Sequence, residues 1–418
     1  MSIKTIAVIG GGPAGFFAAI TAKEMRPDAP VILLEKHQHV LRKVLVSGGG
    51  RCNLTNDCHD PKELVKQYPR GGRELIGAFH RFGPVEVMDW FTQRGVPLKT
   101  EPDGRVFPAS DSSSNIVEAL RFAAYQSGVE IRTRCGVEGL GFDSGKNSGF
   151  ILELSDGSKL TCAKVLLATG GQTSGGGQGG LALAESLGHG IESPVPSLFT
   201  FKSQDPLLYG LAGLAVTKVR IKATGTGFPK KGLMETGPVL VTHWGLSGPA
   251  VLRLSAWGAR AMAASEYRFN LMVDWCPDTE PGDLDQVLIQ WAEANGRKQV
   301  SHGPELDVPR RMWDALLEKV NIPNDRKWAE LGKKNRVLLV EALKATKLSV
   351  YGKTANKEEF VTCGGVRLKD VDFKTMESRL QPGLFFAGEV LDIDGITGGF
   401  NFQGCWTTGF LAGMGMSS

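Results

Sequence analysis

Gly10, Gly12 and Gly15 stand at the spacing G-x-G-x-x-G, and Glu35 follows twenty residues after the last of them. Residues of these types at this spacing can hold a dinucleotide. Gly10 makes a tight turn, Gly12 lets backbone amides approach a pyrophosphate, and Gly15 lets a helix pack on the strand before it. Pro13 and Ala14 lie at the start of that helix, whose free N–H groups and dipole favour phosphate charge. Glu35 can accept hydrogen bonds from ribose hydroxyls. The elements that must position these residues are legible around them. Ile3 to Ile9 is an apolar, β-branched run of the kind buried on both faces of a sheet. Ala14 to Met25 is Ala- and Phe-rich and reads as a helix, and Val31 to Leu34 reads as a second buried strand ending at Glu35.

A fingerprint of this kind serves NAD and FAD alike. The residues after it favour the longer ligand. Lys36 follows the acid, then Arg42 and Lys43, and then a second glycine run, Ser47-Gly48-Gly49-Gly50-Arg51-Cys52-Asn53. Two glycine-rich segments this close together suit a long, two-part molecule lying along the backbone, which describes FAD better than NAD.

These stretches together resemble a known family. Arg42-Lys43-Val44-Leu45-Val46-Ser47 through Asn56 is similar to the signature of the BaiN-type, aminoacetone-oxidase-like bacterial flavoproteins, also described as NAD(P)/FAD-dependent oxidoreductases. The resemblance continues at Leu166-Leu167-Ala168-Thr169-Gly170-Gly171, at Thr242-His243-Trp244-Gly245-Leu246-Ser247-Gly248-Pro249 and at Val361 to Val366. It closes with Leu384 to Glu389 and Gly398-Gly399-Phe400-Asn401-Phe402-Gln403-Gly404. It implies an FAD site built from both chain ends. Gly388 and Glu389 take the place of the acid that binds the ribityl chain in glutathione-reductase-type flavoproteins. Ala168, Thr169 and Gly170 are expected at the flavin, with Val137 as a further contact. Gly395 to Gly404 reads as a loop leading into a final helix, Cys405 to Met414. Gly398, Gly399, Phe400, Asn401 and Gln403 are then expected at the pyrimidine edge, where a helix start favours negative charge.

A site assembled from both ends makes the middle an insertion. The expected fold is α/β, with a Rossmann-like FAD-binding domain of residues 1–192 and 350–418. Short alternating runs predict a β-rich, barrel-like piece over 193–277. Three- and four-residue apolar spacing in Asp283 to Asn295, Pro309 to Val320 and Asn335 to Ala345 predicts a small helical piece over 278–349. By resemblance these cover the flavin and shape the substrate pocket. A glycine tract, Gly175 to Gly180, precedes a helix-like Leu181 to Leu187.

No second strand–G-x-G-x-x-G–helix unit follows between Thr200 and Val361. That argues against a dedicated nicotinamide domain and leaves NAD(P)H, at most, as a transient co-substrate. His243 is the candidate acid/base residue, because histidine moves protons near neutral pH. The seven cysteines are odd in number and show no C-x-x-C spacing, so neither a disulfide scaffold nor a metal site is expected. Cys52 and Cys58 have five residues between them and read as unpaired thiols.

Lys and Arg total 48 against 44 Asp and Glu, a net charge of +4 in 418 residues. Such a balance argues against a dedicated nucleic-acid binder. The 54 glycines are clustered, not periodic, which excludes collagen and marks sharp turns or close backbone approach. No 18-residue apolar run predicts a membrane span, and the first glycines explain the apolar start better than an export signal does. The expectation is a cytoplasmic oxidoreductase that moves hydride between a small organic substrate and non-covalent FAD, acting without membrane or nucleic acid, as a monomer or weak homo-oligomer. The second redox partner is oxygen, as in a small-amine oxidase, or NAD(P)H, as in a reductase. The alternative is a flavin-binding redox sensor or interaction module without turnover.

Overall fold

The computed structural model describes residues 5–143, 149–171, 179–354 and 361–418. Ile3 and residues 175–178 of the glycine tract lie outside them. The chain divides into two compact units, Met1–Pro196 with Asn356–Ser418, and Ser197–Ala355.

The first unit is organised by a seven-stranded sheet. β1 (Ile6–Ile9) and β2 (Val31–Leu34) are buried at every position. Strands covered on both faces need such unbroken apolar runs. β1 pairs in parallel with β2 on one side and with β4 (Lys164–Leu167) on the other, and β3 (Glu130–Arg132) pairs with β2. A strand from the far end of the chain, Leu384–Phe386, pairs in parallel with β4, Val165 opposite Leu384. The two chain ends therefore share one sheet. Two short antiparallel strands, Val371–Asp372 and Glu377–Ser378, finish that edge.

α1 (Pro13–Met25) packs against the C-terminal helix, which runs from Phe400 to Ser417. That helix starts five residues before the expected Cys405. Gly399 takes φ +93° as its N-cap, and Gln403 N–H donates to Gly399 O to close the first turn. Its glycines have a packing reason. A Cβ on Gly409 would lie 2.6 Å from Ala14 O, and one on Gly413 would lie 2.6 Å from Thr21 Cβ. Bare glycine surfaces let the two helices approach this closely.

The second unit contains an antiparallel seven-stranded sheet. Its strands are β5 (Phe201–Lys202), β6 (Ala215–Thr224), β7 (Leu233–Thr242), β8 (Gly245–Ser247), β9 (Phe269–Asp274), β10 (Thr346–Val350) and β11 (Gly352–Lys353). The order is β10-β9-β6-β7-β8-β5-β11. The two end strands, β10 and β11, are separated in the chain by Tyr351 alone. A sheet whose ends are joined by one residue must curl on itself, which is barrel topology. β9 and β10 alternate buried and exposed positions, as a one-faced sheet requires.

α3 (Pro249–Trp257) packs on β7, and the stretch expected to be helical supplies α4 (Pro281–Asn295), α5 (Arg310–Lys319) and α6 (Gly332–Ala345). These helices and the sheet lie in the same unit. Trp275 N–H donates to Leu343 O at 2.8 Å, its indole N–H donates to Thr346 Oγ1 at 3.0 Å, and Lys344 pairs with Asp274 at 2.9 Å. α6 runs directly into β10, so sheet and helices are stitched at its end.

Candidate nucleotide and redox site

The first glycine loop sits at the carboxyl ends of the parallel strands. Beyond those ends the backbone continues pairing: Gly10 N–H to Leu34 O, Ala168 N–H to Ile9 O, and Ala387 N–H to Leu167 O. Gly10 has φ +116°, and a Cβ there would run into Ala168 O. A Cβ on Gly15 would run into Gly10 O, so this glycine sets how closely α1 approaches the loop. Gly12 differs from both: a Cβ there would meet nothing within 4 Å. It caps α1 without a side-chain hydrogen bond, and Pro13 opens the helix. The first turn carries no acidic side chain to compete for its free N–H groups.

Glu35 is held from two sides. Gly11 N–H donates to its Oε2 at 2.8 Å, and His37 N–H donates to its Oε1 at 2.8 Å. Gly11 thus serves Glu35, a role its place in the motif did not indicate. Residues 134–137 lie alongside: Cys135 N–H donates to Glu35 O and Arg134 N–H to His37 O. Val137 begins the next strand there, half-buried, while Lys36 is exposed.

Across β1 and β4 a second carboxylate is fixed. Glu389 Oε2 accepts from Lys43 Nζ at 2.6 Å, and its Oε1 accepts from Thr362 N–H at 2.7 Å. Burial opposes the Lys43 ammonium, but Glu389 beside it outweighs that and holds Lys43 above its ordinary value. Burial also pushes the nearby Cys405 thiol up to about 12, with the Glu389 charge adding to it. Gly388 has φ +74°, and a Cβ there would lie 2.9 Å from Ala14 Cβ. Thr169 is exposed, Gly170 is half-buried, and a Cβ on Gly171 would run into Thr362. Thr362 and Gly171 were not singled out from the sequence. Both stood in quoted motifs, Gly171 after Leu166 and Thr362 within Val361 to Val366, but neither was named as a site residue; Thr362 acts through its backbone, which its side-chain type does not reveal.

The second glycine run is half helix, half loop. α2 (Arg42–Gly50) is helical until Ser47, after which Gly48 and Gly49 turn left-handed at φ +57° and +67°. Cβ atoms on Gly49 or Gly50 would meet nothing within 4 Å. Arg42 is exposed. Arg51 is committed to protein partners: it pairs with Glu101 and Asp111 at 2.5 and 2.7 Å and lies 4.0 Å over the Phe107 ring. Cys52 is buried with φ +58°, its thiol pushed up to about 12 by burial. None of the seven cysteines forms a disulfide.

Bonds from Asn53, Thr55 and Asn56 tie the end of this segment to the far chain end. Asn53, with its amide turned so that both atoms are satisfied, accepts from Gly399 N–H and donates to Thr55 O. Asn56 donates to Gly398 O at 3.1 Å. Thr55 donates to Gln403 Oε1, and Gln403 Nε2 donates to Thr407. Gln403 is fully buried with its amide engaged on both sides, so it braces the loop from beneath. Asn401 bonds both backbone groups of Gly395 and closes the loop on itself. Phe400 is buried, and its carbonyl accepts from the buried Tyr68 hydroxyl. The two amides expected at a ligand edge are thus engaged within the protein, Asn401 by its own loop and Gln403 by Thr55 and Thr407.

His243 belongs to the second unit. It is exposed at the tip between β7 and β8 and makes no hydrogen bond or ion pair among the described residues. Also among the described residues, no helix is long and apolar enough to cross a membrane.

An open glycine turn, a helix start without side-chain cap, and fixed carboxylates on either side of it fit an extended, doubly phosphorylated dinucleotide. Comparison with known proteins agrees with this reading. Residues 4–415 match the family model described as HI0933-like protein Rossmann domain. The chain is 31% identical over 415 residues to the 3-dehydro-bile acid delta(4,6)-reductase of Clostridium scindens, covering 98% of each chain. It is also 31% identical over 407 residues to the ribosomal RNA dihydrouridine synthase of Escherichia coli, covering 96% of this chain and 95% of the other. Among solved structures, the 3-ketosteroid-delta4-(5alpha)-dehydrogenase of Rhodococcus jostii shares the fold. Its TM-score is 0.52 at 16% identity, over 100% of this chain and 98% of that one.

Proposed function

The chain belongs to the HI0933-like Rossmann family, a family of flavoprotein oxidoreductases, and from that membership we propose that it uses non-covalent FAD to saturate a ring carbon–carbon double bond conjugated to a carbonyl. The observation that carries the reading is the open Gly12 turn at the start of α1, flanked by the fixed carboxylates of Glu35 and Glu389. When bound, FAD supplies two-electron hydride chemistry. The chain's own residues supply position and charge. In this reading the α1 N–H groups hold the pyrophosphate and Glu35 the adenosine ribose. Glu389 takes the ribityl hydroxyls, with Lys43 placing a positive charge beside it. The Gly398–Gly399 loop, braced by Asn53, Asn401 and Gln403, forms the floor at the pyrimidine edge.

The substrate class rests on relatives matched over nearly their whole length. A delta(4,6)-reductase of a 3-dehydro steroid and a dihydrouridine synthase both have names that describe saturation of a ring double bond in conjugation with a carbonyl. Such a bond takes up one hydride and one proton. His243 is the proton donor in this reading. These names favour a reductase over an oxidase of small amines.

The test is an anaerobic absorbance trace of FAD-loaded protein near 450 nm, roughly where oxidised flavins absorb. NADH or NADPH is added first, then a cyclic enone steroid or a uridine-containing oligonucleotide, and air last. Bleaching by a nicotinamide followed by recovery on adding an enone or uridine acceptor is the expected course. Recovery with air alone would overturn the reductase reading.

A further inference from the structure

The first unit holds a cavity that none of the nucleotide-site residues lines. It lies between the helix Gly72–Phe79, the edge strand Val371–Asp372 and the turn that follows that strand. Its volume is about 840 Å³. Small-molecule sites occupy roughly 300–1,000 Å³.

Hydrogen bonds hold the wall in place. Arg81, just past the helix end, donates to Lys374 O. Lys374 N–H donates to Asp372 Oδ1 at 3.0 Å, and the N–H groups of Thr375 and Met376 donate to Asp372 O at 3.1 and 2.7 Å. Arg379 donates to Val371 O at 3.2 Å and pairs with Asp372 at 3.5 Å, so its guanidinium lies along the edge strand.

Gly77 lines the cavity from the helix, and neither conformation nor packing requires a glycine there. Its backbone is not left-handed, and a Cβ would meet nothing within 4 Å. The glycines before it differ. A Cβ on Gly71 would run into Ile393, and one on Gly72 would lie 2.6 Å from Val65 O. Glycine inside a helix is destabilising relative to alanine. At Gly77 that loss leaves bare backbone facing the cavity, which lets a ligand come close.

The lining combines positive charge with apolar surface. Arg81, Lys369, Lys374 and Arg379 outnumber the two acids, Glu74 and Asp372. The Lys369 and Lys374 ammonium groups form no ion pair among the described residues. Asp372 is engaged by Arg379 and by Lys374 N–H. Glu74 stands in the first turn of its helix, where its charge offsets the free N–H groups. The rest of the lining is largely apolar: Ala78 and Val371 are buried, and Leu368 and Phe373 are half-buried.

We propose that this cavity binds a small organic anion, whose apolar body lies on Leu368 and Phe373 and whose charge is met by Lys369, Lys374 and Arg81. A bare inorganic anion would leave the apolar lining in water. A cation would be repelled by the excess of basic groups. The site shares no residue with the dinucleotide site, so the proposal goes beyond the reductase reading and stands or falls apart from it.

The experiment is a calorimetric titration of FAD-loaded, full-length protein with naphthalene sulfonate, an aromatic body bearing a fixed negative charge. Saturable binding is expected. Gly77→Leu puts a side chain into the cavity and is expected to weaken that binding about tenfold. Its melting temperature is expected at or above wild type, because leucine favours helix more than glycine does. Lys369→Gln combined with Lys374→Gln is expected to weaken binding about tenfold at an unchanged melting temperature. Inorganic sulfate is expected not to compete. Wild-type affinity in either folded variant overturns the proposal, since the probe is then held elsewhere. Sulfate competing as well as naphthalene sulfonate also overturns it, because that reports charge without a body. Absence of saturable binding by the wild type overturns it too, and FAD retained in that protein leaves the reductase reading standing.

Discussion

The Lys43 ammonium donates to Glu389 Oε2 across 2.6 Å, joining residues 346 positions apart in the chain. The pair joins both chain ends at the proposed nucleotide site. A charge-assisted bond of this kind is among the stronger side-chain contacts, and removing one partner leaves the other half-buried without its counter-charge. Glu389→Gln and Lys43→Met are each expected to weaken FAD binding by roughly tenfold. The double variant is expected to lose less than the sum. Flavin fluorescence titration checks this, and additive losses would remove the pair as a unit.

Gly10 and Gly12 make opposite predictions although they are two residues apart. Gly10→Ala places a Cβ into Ala168 O at a positive φ, so the apo protein is expected to lose about 2–4 kcal/mol of stability. Gly12→Ala meets no protein atom within 4 Å. Its apo melting temperature is expected to stay near wild type while FAD binding is lost. Paired melting and FAD titration of the two variants decide it.

Gln403 holds Thr55 and Thr407 in a buried chain of bonds. Gln403→Ala leaves both hydroxyls short of a partner and is expected to cost about 1–3 kcal/mol, read from urea unfolding. The loss is expected in apo and FAD-loaded protein alike. A variant with unchanged stability but lost FAD would place Gln403 at the ligand after all.

Four thiols, Cys52, Cys162, Cys276 and Cys405, are pushed by burial up to about 12 from an ordinary 9.0. The folded chain keeps these protons where the unfolded chain gives them up. Their contribution to stability is therefore complete below about pH 9 and is lost as pH rises toward 12. Urea midpoints are expected to fall steadily across that window. In native protein at neutral pH, iodoacetamide is expected to label the less buried Cys58 and Cys135 first, as mass spectrometry of the digest would show.

His243→Ala is expected to leave flavin reduction by a nicotinamide unchanged and to slow substrate-driven reoxidation by roughly a hundredfold. Stopped-flow traces of the two half-reactions separate these outcomes. Equal reoxidation rates in wild type and variant would take His243 out of the chemistry.

Much of the nucleotide-site framework was legible in local sequence. β1, the glycine turn, α1 and Glu35 are contiguous, and strand, turn and helix signals follow one another there in the order the fold uses them. The start of the last helix was hidden, because glycine-rich sequence reads as loop. In the fold, Gly409 and Gly413 are the contact surface against α1.

The amino-acid sequence by itself determined the class of ligand, because the turn, the helix start and the acid that suit a dinucleotide lie within one short stretch and need only local geometry. Tertiary structure decided what each remaining residue does there. Gln403 and Asn401 have the same amide chemistry wherever they stand. Burial engages Gln403 with Thr55, 348 residues away, and pairing across the sheet makes Glu389 the partner of Lys43. Contacts of that sequence separation exist only once the β4 pairing has brought the two chain ends together.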